Sequence, residues 1–288
     1  MTSFFRVDEK CSVASQKRTR KMEGMIAGYS ETGYSLLKQA QKDGYLLKWD
    51  VGNGWSGQVD ADKKLIVLND EETDGRLIET LVHECRHIWQ FSKGVEYGCG
   101  MYNIKDAIRF HRCKEADAEA VTAAVCREIY LNSGDSSAWK AFASGRPFVA
   151  EGLERAARNR KESAVSHSML QSAFNGWYKD ERVVRAYEEH YIEKGILTEC
   201  FDKNKNLKSF FRKKTTSEKI VLTVCSDNCG GCYWKENPFV LNEPYRLLVS
   251  ETTVRRAGEV LTGIEKITGI KQNHSYRELP IRQAKVFQ

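Results

Sequence analysis

The stretch LIETLVHECRHIWQF (77–91) decides how this chain is interpreted. It contains His83, Glu84 and His87 in the pattern H-E-x-x-H. Residues four apart on a helix lie one turn apart on the same face, so the two histidines project together. They can present two imidazole nitrogens to one metal ion, or they can form the polar face of an ordinary helix.

A helical wheel favours the metal site. The apolar stripe of this helix lies nearly opposite the two histidines and consists of Ile78, Leu81, Val82, Cys85, Ile88 and Trp89. At 100° per residue, Glu84 points about a quarter turn away from His83. It can reach a water on the metal without binding the metal itself, which suits a general base.

A catalytic zinc site needs a third protein ligand, and a second predicted helix (about 105–131) offers several. Glu115 follows His87 by 28 residues, which lets a loop return the chain beside the first helix. His111 and Glu119 each lie four residues from Glu115 and share its face, whereas Asp117 falls nearly opposite.

These four residues leave alternatives open. His111 competes with Glu115 as the ligand, or is a surface histidine near the start of the helix. Asp117 is either a ligand or a buried acid paired with an arginine such as Arg86 or Arg127. Glu119, Asp117 and His111 are also candidates for residues that do not bind the metal but orient a histidine ligand.

The order of these elements resembles that of the gluzincins: an H-E-x-x-H helix, a short loop and a helix with a glutamate. The segment EADAEA (115–120) is similar to the element E-A-[DN]-x-[FA]-A of the ImmA/IrrE metallopeptidases, and departs from it at Glu119. The resemblance covers roughly residues 57–131. It implies a zincin-like metallopeptidase domain with Zn²⁺ as cofactor and Glu115 as the third ligand.

The surrounding pattern predicts an α+β fold. GQVDAD (57–62) and KKLIVLN (63–69) predict a hairpin, and YLLKWDVG (45–52) predicts another strand. In the zincin plan that the resemblance implies, a strand such as 63–69 lies beside the site and pairs with extended substrate. The composition changes near residue 145, so we expect a zincin-like domain over 1–145 and a mostly helical region over 146–288.

Outside the motif, periodicity predicts helices over 16–42, 149–163, 165–176, 180–194 and 251–268, the last opened by Ser250 or Thr252. The β-branched run EKIVLTV (218–224) predicts a strand.

Cysteine usage raises the question of a second metal site. The chain has nine cysteines and no export signal, which favours reduced thiols. Cys225, Cys229 and Cys232 follow the spacing C-x3-C-x2-C, with Cys200 or His274 as a fourth ligand. The alternatives are redox-active thiols or simple reduced cysteines in a turn.

Charge and hydropathy bear on location and partners. The net charge of +6 is spread out, with basic runs at 16–21 and 203–214 that we interpret as solvated surface rather than a nucleic-acid site. No apolar stretch is long enough to span a bilayer, and the first residues lack an apolar signal region. We therefore expect a cytoplasmic protein, or one delivered into a host cell without a classical signal peptide.

Together these features predict a hydrolase: a zinc metallopeptidase that acts on a protein or peptide substrate, with Glu84 activating the attacking water. The alternative is a non-catalytic binding or adaptor protein with a structural zinc site and a basic C-terminal surface. A peptidase also needs a donor for the oxyanion, and the sequence offers five candidates: Tyr97, Tyr102, His167, Tyr178 and His190.

Overall fold

The computed structural model describes residues 3–7, 12–51, 54–95, 99–160, 164–199, 206–227 and 231–283. The fold is α+β, as predicted. The strands are β1 (Arg6–Val7), β2 (Leu46–Asp50), β3 (Gly57–Asp60) and β4 (Leu65–Asn69). The helices are α1 (Val13–Tyr29), α2 (Glu31–Lys42), α3 (Asp74–Ser92), α4 (Ile104–Ser133), α5 (Ser137–Gly145), α6 (Pro147–Arg160), α7 (His167–Trp177), α8 (Glu181–Tyr187), α9 (Leu197–Glu199), α10 (Ser217–Val224), α11 (Pro244–Leu247) and α12 (Glu251–Thr268), with a π-helical stretch at Glu188–Ile196.

The chain forms two compact units, each made of three stretches. The first unit comprises 1–95, 116–179 and 223–235, and the second comprises 96–115, 180–222 and 236–288. The first contains the sheet, while the second is helical within the described residues. Helix α4 runs without a break through the boundary at 115/116. A domain division near residue 145 stays a prediction.

The sheet has the order β1-β2-β4-β3. β3 and β4 pair antiparallel, which confirms the predicted hairpin, and β2 runs parallel to β4. Because β4 has a strand on each side, its backbone has no free edge for an extended substrate. The expectation that residues 63–69 pair with substrate is therefore wrong, and β3 is the strand that ends the sheet on this side.

The single helix expected over 16–42 is interrupted at Ser30. Its backbone is extended, and its hydroxyl accepts a hydrogen bond from the Gly33 N–H and donates one to Glu128 on α4. Ser30 therefore caps α2, and the tertiary partner on α4 fixes the break.

The basic run at 16–21 lies on α1 and is partly used in ion pairs near the start of α3. The Arg18 guanidinium and the Lys21 ammonium each lie 2.7 Å from an oxygen of Asp74. These two hydrogen bonds hold the pKa of the Asp74 carboxyl below its ordinary value. The run at 203–214 falls partly outside the described residues.

The strand predicted over 218–224 is wrong, because this segment is helix α10. Ile220, Val221 and Val224 are buried and Leu222 is exposed, a helical spacing that the β-branched composition conceals. The last predicted helix is confirmed: α12 begins after Ser250, whose hydroxyl accepts from the Thr253 N–H.

Two glycines let the backbones of α6 and α7 approach each other closely. A Cβ on Gly176 would lie 2.2 Å from the Phe148 carbonyl oxygen, and one on Gly152 would lie 2.4 Å from that of Ser172. The Ser172 hydroxyl donates to the Gly152 carbonyl. Neither backbone can yield without separating the helices.

None of the helices in the described part of the chain is both long and apolar enough to cross a membrane.

We predict that Gly176→Ala lowers the free energy of unfolding by about 3 kcal/mol, the upper range for overpacking, because the clash is with backbone. Gly28→Ala is the control: this exposed glycine of α1 has nothing within 4 Å of its would-be Cβ. There alanine should stabilise by about 0.5–1 kcal/mol, since it favours the helix. Chemical denaturation measures both, and equal effects would contradict the packing argument.

Candidate metal centre

Helix α3 carries the H-E-x-x-H residues. Thr73 caps it by accepting from the Arg76 N–H, and Gly94, with φ +85°, follows its end. The predicted apolar stripe is buried, and its most exposed member, Trp89, is only 6% exposed. Packing this stripe fixes the rotation of the helix, so it also fixes the direction of the two histidines.

The two histidine rings converge. The Nε2 atoms of His83 and His87 lie 3.1 Å apart, and the rings are perpendicular with centroids separated by 4.7 Å. His87 is buried, whereas His83 keeps part of its side chain exposed. The pair therefore brings two nitrogens close to one point, and His83 is the more exposed of the two residues.

Glu115 completes a three-residue group with these histidines. One ligand atom from each of His83, His87 and Glu115 lies within 4.8 Å of the others. Glu115 is buried and directly precedes Ala116 in the unbroken α4, so its backbone position is set by that helix. Among the described residues, this is the group of histidine, cysteine and carboxylate side chains that could hold a metal ion.

The donor set suits zinc. With Zn–N bonds of about 2.0–2.1 Å and tetrahedral angles, two nitrogen ligands lie about 3.3 Å apart. The observed 3.1 Å between the Nε2 atoms is close to that separation. Two imidazoles with one carboxylate form a ligand set that zinc accepts, and three protein donors leave a fourth position for water.

Glu84 lies next to the group, with 8% of its surface exposed. Because Glu84 is adjacent to His83 in the motif, it is a candidate to accept a proton from a metal-bound water.

Cys85, which lies inside the motif, packs as an apolar group. It is fully buried, and burial raises the pKa of its thiol well above the ordinary value. The thiol therefore stays protonated.

A carboxylate cluster lies behind His83. The Nδ1 of His83 is 3.9 Å from Glu119, and the same Glu119 oxygen accepts a hydrogen bond of 2.6 Å from Arg146. Glu79, one turn before His83, is held by Arg76. Burial raises the pKa of Glu79 to about 7, although the Arg76 charge opposes the shift. The second-shell role of Glu119 stays a prediction.

Asp117 forms a buried two-point ion pair with Arg86. Arg86 Nε lies 2.7 Å from Oδ2, and Nη2 lies 2.9 Å from Oδ1. Pairing with Arg86, one of the two interpretations given for Asp117, is confirmed. Gln90 and Tyr233 also donate to Asp117, and sequence reasoning missed both. Helical spacing could have identified Gln90, because it lies three residues after His87 on the same helix. No pattern near Tyr233 in the sequence indicates its contact with Asp117.

Other predicted residues lie elsewhere. His111 packs its ring against Tyr191 at 4.8 Å between centroids. Cys225 is buried and Cys232 is half-buried, while Cys229 lies outside the described residues, so the second metal site stays a prediction.

The alternatives for that site and for the oxyanion donor are placed as follows. His274, a suggested fourth ligand, hydrogen-bonds Glu265. His167 lies 3.2 Å from Asp227. Tyr102 and Tyr178 are buried, and Tyr97 and Cys200 lie outside the described residues.

One family model matches the chain. It carries the description "Putative metallopeptidase family (DUF6782)" and covers residues 18–233, three quarters of the sequence. The chain belongs to this family. No curated protein and no solved structure gives a significant match. The family agrees with the metallopeptidase interpretation at this coarse level, and the resemblance to gluzincins and to the ImmA/IrrE group stays a prediction.

The raised pKa of Glu79 makes stability depend on pH. A carboxyl whose pKa is 4.5 when unfolded and about 7 when folded stabilises the fold fully below pH 4.5. That contribution is lost as the pH rises through 7. Between pH 5 and 8 the metal-free protein should lose roughly 2.5 kcal/mol of unfolding free energy from this group, and Glu79→Gln should remove that loss.

Chemical denaturation at both pH values in a chelator measures this difference. The matched variant, Glu71→Gln, changes an exposed carboxyl and should keep the wild-type pH dependence. An unchanged pH dependence in Glu79→Gln would contradict the assignment.

Proposed function

We propose that this family member is a zinc-dependent metallopeptidase that hydrolyses peptide bonds at a zincin-type site. In this proposal His83, His87 and Glu115 bind the zinc ion, and Glu84 is the general base. The convergence of one ligand atom from each of these three residues within 4.8 Å carries the proposal.

The number of donors favours a catalytic over a structural site. Structural zinc sites are closed by four protein ligands, whereas catalytic ones have three and leave a position for water. The group found among the described residues has three members. Three donors meet the requirement of a catalytic site, whereas the alternative, a non-catalytic adaptor protein with a structural zinc site, requires a fourth protein ligand.

The proposed reaction assigns separate tasks to the metal and to the chain. A bound zinc ion supplies Lewis acidity, which lowers the pKa of water and polarises the peptide carbonyl. Glu84 would take one proton of the attacking water while the water oxygen bonds to the carbonyl carbon. It would then give that proton to the amide nitrogen as the carbon–nitrogen bond breaks, which releases an amine and a carboxylic acid and regenerates the Glu84 carboxylate.

Strand β3 supports a role in holding extended substrate. It ends the sheet, and it lies against α3 one turn before the histidines: a Cβ on Gly57 would lie 2.6 Å from the Thr80 methyl carbon. Its edge can offer backbone hydrogen bonds to a peptide strand.

Glu84→Gln tests the chemistry apart from metal binding. We expect the variant to retain one zinc per chain, because Glu84 is not a ligand, and to lose activity by about 10²–10⁴-fold, the usual contribution of a general base. Metal content is measured by mass spectrometry, and activity by cleavage of a fluorescence-quenched mixture of random peptides. Glu71→Gln serves as the control with wild-type activity. A wild type without zinc, or full activity in Glu84→Gln, would refute the proposal.

Glu115→Ala tests the third ligand. Losing one of three protein ligands should weaken zinc binding by more than about 100-fold, beyond the usual effect of an outer-shell partner. His111→Ala, four residues away on the same helix, should change it little. Competition with a chelating dye gives both affinities, and the reverse ranking would make His111 the ligand.

A further inference from the structure

The hydrogen bonds around Asp117 are saturated. Its Oδ2 accepts from Arg86 Nε at 2.7 Å and from Gln90 Nε2 at 2.6 Å. Its Oδ1 accepts from Arg86 Nη2 at 2.9 Å and from the Tyr233 hydroxyl at 2.8 Å. A carboxylate offers about four lone-pair positions, so each one is filled. Asp117 and Gln90 both have 0% exposure, so water does not compete for these bonds.

This saturation fixes the orientation of the Gln90 amide. An ionised carboxylate only accepts, so the group of Gln90 that faces Asp117 must be the NH₂. The amide oxygen then faces the Nδ1 atom of His87, 2.9 Å away. Because the oxygen can only accept, His87 must carry its proton on Nδ1.

The position of this proton also determines which nitrogen of His87 can bind a metal. A neutral imidazole with the proton on Nδ1 has its lone pair on Nε2, the atom that lies 3.1 Å from His83 Nε2. The carboxylate of Asp117 thus selects, through Gln90, the tautomer of His87 that can bind a metal at the shared point.

Residues 224–227 and 231–233 supply the other side of this network. The carbonyls of Val224 and Ser226 accept from Arg86, and Tyr233 follows the antiparallel bridge between Ser226 and Cys232. Burial raises the pKa of the Tyr233 phenol well above its ordinary value, and Asp117 adds to the shift. The hydroxyl therefore stays protonated and donates to Asp117.

We propose that Gln90, Asp117 and Tyr233 are positioning residues that hold His87 as the Nδ1–H tautomer and thereby prepare its Nε2 for the metal. The assignment rests on the proposed function for the identity of the metal ligand. It gives Tyr233 a task at the metal centre, although this residue lies far from the motif in sequence.

The test compares three variants in the full-length chain. Gln90→Met keeps the approximate volume but removes both hydrogen-bonding groups, and Tyr233→Phe removes one hydroxyl. Ser226→Ala is the matched control: the Ser226 hydroxyl accepts from Trp89 Nε1 at 2.9 Å, so this substitution removes a buried hydrogen bond to α3 without removing a partner of Asp117.

Zinc affinity and the visible spectrum of the Co²⁺-substituted protein are the first readouts. Gln90→Met and Tyr233→Phe should weaken zinc binding by about 10–100-fold, and Gln90→Met should alter the Co²⁺ spectrum. Ser226→Ala should bind zinc with the affinity of wild type, because it keeps the hydrogen bonds of Asp117 and Gln90. If all three weaken binding equally, or if Gln90→Met binds like wild type, the proposal is overturned.

The tautomer is measured separately in the metal-free protein, by ¹⁵N NMR of labelled histidine above pH 7.5. Wild type should show His87 with its proton on Nδ1, and Gln90→Met should show a mixture. A mixed tautomer in wild type would overturn the positioning proposal. If wild type has the Nδ1–H tautomer but binds no zinc, the proposed metallopeptidase function is refuted. The hydrogen-bond network around Asp117 is then still supported.

Discussion

The buried carboxylate of Asp117 is the constraint on which the first unit depends most. A charge with no contact with water costs several kcal/mol unless it is paired and fully hydrogen-bonded. Arg86 supplies the opposite charge, and Gln90 and Tyr233 complete the shell. Three of these residues lie on α3 and α4, so this polar cluster sets the rotation of one helix against the other. Removing one partner of such a pair typically costs about 3–5 kcal/mol, because the other charge remains buried.

The two histidines of the candidate site have different surroundings. His87 is buried and reaches, through a neutral amide, a carboxylate that is fully neutralised by arginine. His83 is more exposed and lies near Glu119, which is shared with Arg146. The His87 ring is therefore fixed by buried hydrogen bonds, whereas the His83 ring is partly exposed.

Sequence patterns predicted the features that depend on neighbours within a few residues. The apolar stripe of α3, the β3–β4 hairpin and the start of α12 at Ser250 follow from helical period, turn residues and capping. The two errors have different causes. Ser30 interrupts the first predicted helix with help from Glu128, a distant residue that no local pattern contains. The segment 218–224 was assigned as a strand from its β-branched composition, although the spacing of its buried residues is helical.

The same distinction separates the parts of the candidate site. His83, Glu84 and His87 lie within about one turn of one helix, so a local sequence motif identifies them. Glu115 follows 28 residues after His87, a spacing that lets a second helix pack beside the first. Tyr233 cannot be found this way, since 116 residues separate it from Asp117. The family match nevertheless extends from residue 18 to residue 233, so it contains the motif, α4 and Tyr233 together. The chemistry proposed for this chain therefore depends on a residue far along the chain, Tyr233, as well as on the two helices.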